Sequence, residues 1–287
     1  MASAIVVCAG CHDAEIGGDP GDYFDDPGSM ATVSDPIEFT ETPYDFSGEM
    51  TIAELRDLIP PQNEASVWAG FAAEDPYPIE GDCNPEFTGG EQVPAVLEEL
   101  PAYIEGIVTL HPRYFTNANV CGSRERYYGT YIIQDETAGI HVLKNSRIGE
   151  FDVGDRVRLR VRAIKREFSM QAVLTFDNEE ALTTPDDRYP VYYEEIERPF
   201  EEDLDVYQVR RISGEVVQAA TNQNFNEMIL RSTEDPDVEW IVSFDRELGT
   251  RGVTPPQGSM VQLTGPVMES FGMRMIIASL GKIEYLD

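Results

Sequence analysis

Between Tyr103 and Val173 the chain is written with a period of two, and a glycine interrupts its first apolar run. Val157, Leu159 and Val161 alternate with Arg156, Arg158, Arg160 and Arg162. Alternation of that kind puts the aliphatics on one face of a strand and the guanidinium groups on the other. Gly106 stands inside the run Ile104–Val108. A mid-strand glycine weakens a strand unless a bend, a bulge or a close backbone approach requires it. The remaining segments read as Tyr131–Ile133, a polar turn Gln134–Gly139, its hairpin partner Ile140–Leu143, a Gly154-Asp155 turn and a last strand Met170–Thr175. Five short strands with one sharply coiled member predict a small closed barrel.

That grammar is of the OB type, whose first strand bends to serve both ends of the sheet. It recurs downstream. Ile212–Val217 matches Ile104–Val108, and Met228–Arg231 with Trp240–Phe244 supplies a middle hairpin. Gly258–Leu263 matches Gly154–Leu159, and Met273–Ser279 closes the set. The mid-strand and turn glycines stand 48 residues apart in the first set (106 to 154) and 44 in the second (214 to 258). Shared order at shared spacing predicts a duplicated unit. The expected fold class is mainly β: two tandem OB-like five-stranded β-barrels, a few short helices and a disordered acidic N-terminal linker. The expected boundaries are 1–48 for a processed leader and linker, 49–188 for the first barrel and 189–287 for the second.

The first set resembles an uncharacterised OB-like domain family, a domain of unknown function, found in bacterial extracytoplasmic lipoproteins. The resemblance is carried by Thr51-Ile52-Ala53-Glu54-Leu55, by Ile104 to Val108, by Tyr131 to Ile140 and by Gly154 to Val157. The Gln134–Ile140 segment is its most specific part, and an insert of about forty residues between helix and first strand departs from it. The resemblance implies an OB-like fold and an exported location, and supplies no catalytic residue.

Charge narrows the partners. Asp and Glu number 53 against 21 Lys and Arg, a formal net charge of −32, and only Lys144, Lys165 and Lys282 are lysines. Acid excess with scarce lysine is a habit of proteins from saline surroundings. Nucleic-acid affinity depends on neutralising phosphates through a basic groove, and this charge opposes it. The arginine face of Arg156, Arg158, Arg160 and Arg162, with Arg166 nearby, reads as a strand face paired with neighbouring carboxylates.

Near the start, an apolar run ends in Cys8-Ala9-Gly10-Cys11-His12. The small residues before Cys11 suit lipoprotein processing, with Cys11 acylated and a leash following. The same five residues fit Cys-x-x-Cys-His, the c-type haem attachment pattern, which makes haem c through Cys8, Cys11 and His12 the alternative cofactor. The Asp-, Gly- and Pro-rich stretch that follows offers a macrocycle no apolar pocket, so no cofactor is the leading expectation. Asp19, Asp22, Asp25 and Asp26 miss the spacing of a calcium loop. No run approaches the ~18 apolar residues that span a bilayer, so the expected membrane link is the lipid alone.

Cys83 and Cys121 lie in polar inserts. An even pair in loops of an exported protein predicts a disulfide, and closing about forty residues stabilises by roughly 3–4 kcal/mol on the chain-entropy model. Thr51 and Glu54 form a capping box opening a helix through Leu58, stopped by Pro60-Pro61. A second short helix is expected over Val93–Leu100. There is no nucleophile motif and no phosphate loop, the three histidines are scattered, and adjacent Asp135-Glu136 fits turn chemistry.

These readings predict an exported, lipid-anchored, non-enzymatic binding module at the cell surface or in the periplasm, without a metal, meeting an extracellular or periplasmic protein, peptide or glycan. The alternatives are an extracellular nucleic-acid-associated OB protein and a c-type haem protein. By analogy with other OB folds, the expected ligand surface is the groove of the first barrel, through Tyr131, Ile133 and His141 with Asn117 and Tyr128 from the adjoining loop.

Overall fold

The computed structural model describes residues 37–46, 48–58, 102–110, 131–143, 151–167, 170–182, 187–221, 226–244, 253–269, 272–277 and 282–286. All belong to one compact unit, Val33–Asp287. Its chain order is β1 (Phe39–Thr40), α1 (Ile52–Asp57), β2 (Ala102–Leu110), β3 (Tyr131–Gln134), β4 (Gly139–Leu143), β5 (Arg156–Glu167) and β6 (Met170–Ala181). Then come β7 (Val191–Tyr192), β8 (Glu194–Glu195), α2 (Glu202–Asp205), β9 (Val209–Gln218), β10 (Glu227–Ser232), β11 (Glu239–Phe244), β12 (Met260–Glu269), β13 (Met273–Ile277) and β14 (Ile283–Tyr285).

Strands β2-β3-β4-β6-β5 close into a barrel. Every pairing is antiparallel except β4 with β6. Five strands in that order, with one parallel pair, are the OB arrangement, so the protein is mainly β and built on an OB-type barrel. The interior is the even-numbered face of β2 and the odd face of β5: Ile104, Val108, Val157, Leu159 and Val161 are buried in one cluster with Tyr131, Ile133, Ile140 and Val142. Helix α1 adds Ile52 and Leu55 to that cluster, both fully buried. Its capping box is formed as the sequence predicts: Thr51 Oγ1 accepts from Glu54 N, and the Glu54 carboxylate accepts from Thr51 N at 2.8 Å.

In the second half the strand order of the barrel recurs inside a seven-stranded sheet, β14-β12-β13-β11-β10-β9-β8, with an additional β12–β9 pairing. The register of the repeat is the same to the residue. Gly106 lies opposite Val157 as Gly214 lies opposite Val261, and Ile104 opposite Leu159 as Ile212 opposite Leu263. Each bend is tied alike: Val108 N donates to Asp155 O and Val216 N to Ser259 O, while Gly154 N donates to Val108 O and Gly258 N to Val216 O. The mid-strand glycines admit a crossing backbone. A Cβ at Gly214 would lie 2.1 Å from Arg231 O, and at Gly106 3.0 Å from Gln134 O.

One stretch departs from expectation. Residues 37–46, read as the end of an acidic linker, pack against the fold: β1 pairs in parallel with β7, and Phe46 is buried beside Ile107, Val191 and Tyr193. The reason is aromatic. Tyr44 stacks on Phe46 with ring centroids 5.8 Å apart and meets Tyr189 edge-on at 5.0 Å, which outweighs the acids interleaved between them. The Cys8–His12 motif, the Asp cluster 19–26, Cys83, Cys121, Val93–Leu100, Asn117 and Tyr128 lie outside the described residues.

Candidate functional site

The Gln134–Ile140 segment is a junction. Asp135 Oδ1 accepts from Thr137 N at 2.7 Å, Thr137 Oγ1 at 2.6 Å and Ala138 N at 2.8 Å, which closes the turn. Its Oδ2 accepts from Ile52 N at 2.7 Å, at the first turn of α1. Thr137 Oγ1 also takes Ala53 N at 3.1 Å. Gln134 clamps the second half: its Oε1 accepts from Val209 N at 2.7 Å and its Nε2 donates to Tyr192 O at 3.2 Å. Asp135 and Glu136 therefore do not act as a pair. Burial pushes the Glu136 carboxyl up, and Phe46 N donates to it at 3.4 Å.

OB barrels present the outer face of their second and third strands to ligands. In the first half that face is β3–β4, and it is covered. Alternation sends Tyr131 and Ile133 inward, with the Tyr131 ring 5.8 Å from Phe151, and sends Ile132, Gln134, Gly139 and His141 outward. The outward set is buried nonetheless, beneath Val206 and Tyr207 and beside Met268 and Ile276 of β12 and β13. A Cβ at Gly139 would lie 1.9 Å from Tyr207 O, so only glycine admits the covering chain. Tyr207 itself has φ 65°, a left-handed backbone unusual for a bulky residue. The expected groove surface of Tyr131, Ile133 and His141 is thus corrected: all three are 0% exposed, two inside the barrel and one sealed in the seam between the halves.

The His141 ring lies 5.7 Å from the Tyr207 ring, and neither of its nitrogens has a hydrogen-bond partner. Burial pushes its pKa down to about 4. Lys282 crosses the same seam, donating Nζ to Thr109 O at 2.9 Å, and burial lowers its pKa to about 8.

The arginine face is paired, as its sequence suggested, at the two positions nearest the bend. Arg156 and Arg158 both donate to Glu105 on β2, Arg158 from directly opposite and Arg156 from the diagonal place opposite Ile107. Burial pushes the Glu105 carboxyl up, but the bonds from Arg158 and Arg156 prevail and hold it below the usual carboxylate range. The repeat keeps the geometry without the charge: Ser213 and Gln262 occupy the places of Glu105 and Arg158, joined at 3.1 Å. A second ionic hub escaped the sequence reading. Asp205, fully buried at the end of α2, accepts from Arg198 Nη1, Arg210 Nε and Glu201 N, each at 2.6 Å. Burial raises its pKa, and the bonds from Arg198, Glu201 N and Arg210 more than reverse that. These hubs consume cations that a phosphate would need.

In the second half the equivalent face, β10–β11, is open. Ile229 lies opposite Ile241 and Arg231 opposite Glu239. Both isoleucines are half-buried, and Arg231 and Glu239 keep 43% and 45% side-chain exposure while bonded at 2.7 Å. Arg274, opposite Ile241 on β13, pairs with Glu227. The face carries an aliphatic centre between two ion pairs and, among its described residues, no aromatic ring. Alternation in each strand marks these residues as outward-facing. What singles them out is the covered face of the first half, which sequence alone does not reveal. Among the described residues no group of three or more His, Cys, Asp or Glu could hold a metal ion, and no helix is long and apolar enough to cross a membrane.

The fold and faces define a class: an OB-type β protein in which the outer face of β3–β4 is covered by the chain itself and its counterpart on β10–β11 keeps an exposed ion pair. No protein-family model matches the chain, and no curated protein is similar to it. Among solved structures, the tetrameric p202 HIN2 is 10% identical, with 64% of this chain and 92% of that one covered and a TM-score of 0.29. The wild-type single-stranded DNA binding protein from Thermus aquaticus is 12% identical, covering 64% and 91%, at 0.22. A deletion mutant of that protein is 13% identical, covering 64% and 93%, at 0.22. Agreement this slight carries no argument about function, and the OB assignment rests on the barrel's own strand order.

Proposed function

We propose that this protein is a non-enzymatic binding module whose ligand is a protein or peptide, exported and held at a membrane by a lipid on Cys11. The observation that supports the ligand class is the occupancy of the β3–β4 face: what fills it is polypeptide, the main chain and ring of Tyr207 seated on Gly139 and His141. The same strand register recurs at β10–β11, where the charges are already paired and the described residues include no stacking ring. Both features fit a peptide better than a glycan or a single-stranded nucleic acid, which draw on aromatic platforms and free cations. The lipid reading rests on Ala9-Gly10 before Cys11 and on the resemblance to extracytoplasmic lipoprotein domains, and the same setting favours a Cys83–Cys121 disulfide.

The test is an array of peptides, glycans and oligonucleotides presented to the full chain. Peptides are the expected binders. Binding confined to oligonucleotides, with an affinity that collapses as salt rises, sinks the reading. Independently, a fatty-acid label should enter the protein expressed in a lipoprotein-processing host and be lost in Cys11→Ser. A label that persists in that variant removes the tether, and a haem Soret band dependent on Cys8 and Cys11 would replace it.

A further inference from the structure

The two halves carry the same strand register twice, and that fixes a residue-by-residue correspondence between their outer faces. Ile132 faces His141 on β3–β4 as Ile229 faces Ile241 on β10–β11, and the pair Gln134–Gly139 corresponds to Arg231–Glu239. The inward positions agree as well: Val108 meets Ile133 in the first half and Val216 meets Leu230 in the second.

We infer that the open β10–β11 face is the docking surface for an extended, cationic segment of another protein that carries one large apolar side chain. This deepens the peptide-binding reading and rests on it. The apolar requirement comes from the centre of the face, where Ile229 and Ile241 lie side by side and half-buried. Tyr207 meets His141 of the corresponding pair in the first half, in the cluster that also holds Ile132, so the occupant seen there already sets a single large ring on the outward face.

The charge requirement comes from what surrounds that centre. Arg231 is held by Glu239 and Arg274 by Glu227. Glu215, opposite Arg231 on β9, is exposed, and so are Glu234, Asp235 and Asp237 in the hairpin between β10 and β11. Among its described residues the rim is therefore acidic after its own pairs are counted, on a chain of formal charge −32. Such a field speeds the approach of a cationic partner and repels both phosphates and a second copy of this chain. One difference from the first half sets the mode of contact. Gly139 lets the Tyr207 main chain come down onto the sheet, whereas Glu239 stands at the corresponding place. A partner on β10–β11 is held off by that side chain and engages through its own side chains, exchanging a lysine or arginine for Arg231 at the Glu239 carboxylate.

The experiment uses the full chain and three fluorescent probes: a peptide of alternating lysine and valine with a central tyrosine, the same peptide with glutamate for lysine, and an oligo-dT strand. The lysine peptide is expected to bind and the other two are not. Glu239→Lys and Ile241→Thr should each weaken the lysine peptide by about tenfold without lowering the thermal midpoint, and Arg231→Ala, which frees the Glu239 carboxylate, should tighten it. If Ile241→Thr lowers the midpoint, Glu239→Lys alone decides, since its side chain is exposed. Lysine-peptide binding that ignores Glu239→Lys overturns this surface and leaves the peptide reading standing. Equal binding of the glutamate peptide overturns the charge assignment. Failure of every peptide, with or without oligo-dT binding, overturns both.

Discussion

His141 shows how a single residue can make the seam between the halves answer to pH. Its ring is fully buried with no hydrogen-bond partner, and its pKa falls from 6.5 to about 4 because burial disfavours the cation. Above pH 6.5 the ring is neutral in folded and unfolded chains alike and contributes no pH dependence. As the pH falls from 6.5 toward 4, the unfolded chain takes up the proton first, and stability is lost at up to about 1.4 kcal/mol per unit. Below 4 the folded chain is protonated too and the loss levels off at about 3 kcal/mol. The second half carries Ile241 at the corresponding position, so His141→Ile is a substitution the repeat itself endorses. Denaturant unfolding of wild type and variant across this window should show a difference that is constant above pH 6.5 and shrinks the wild type's relative stability below it. Parallel curves from pH 7 to 4 would mean that the ring is hydrated or paired in solution.

At the scale of elements, α1 and the β3–β4 turn form one unit joined at Asp135. Four donors converge on that carboxylate, three from its own turn and one from the start of α1. Asp135→Ala leaves buried N–H groups unmet, and the expected cost is about 3 kcal/mol or more, with Asp135→Asn losing less because one oxygen remains. Chemical denaturation gives the ordering directly, and an alanine variant as stable as wild type would refute it. The strands themselves were legible in the sequence. Gly106, Gly154, Gly214 and Gly258 mark the bends and turns, period-two alternation marks β5, and the capping box marks α1. The covering of the β3–β4 face was not legible. It depends on Tyr207 adopting a left-handed backbone and on a Gly139 that reads as an ordinary turn glycine, and neither leaves a local pattern. The same gap misplaced Tyr131 and Ile133, whose parity could be assigned only once β3 was set against β2 and β4. The packing of residues 37–46 was missed because acid content outweighed three interleaved aromatics in a composition-based reading.

For the whole molecule, the decisive quantity is the imbalance of 53 acids against 21 bases. The structure spends much of its cationic side on fixed partners: Arg156 and Arg158 on Glu105, Arg198 and Arg210 on Asp205, Arg231 on Glu239 and Arg274 on Glu227. Glu105 and Asp205 are buried, and their pairs are little touched by solvent ions. The unmatched carboxylates are therefore largely surface charges that repel one another in the folded state more than in the expanded chain. Raising ionic strength from about 0.1 to 1 M shortens the screening length from about 10 to 3 Å. That relieves the surface repulsion while leaving the buried pairs intact. The thermal midpoint should climb with sodium chloride over this range, and potassium chloride should act alike if screening is the cause. Replacing the exposed hairpin acids Glu234, Asp235 and Asp237 with their amides should raise the low-salt midpoint and shrink the climb. A midpoint that falls with salt would place the surface pairs, rather than the surplus of acid, in control of stability.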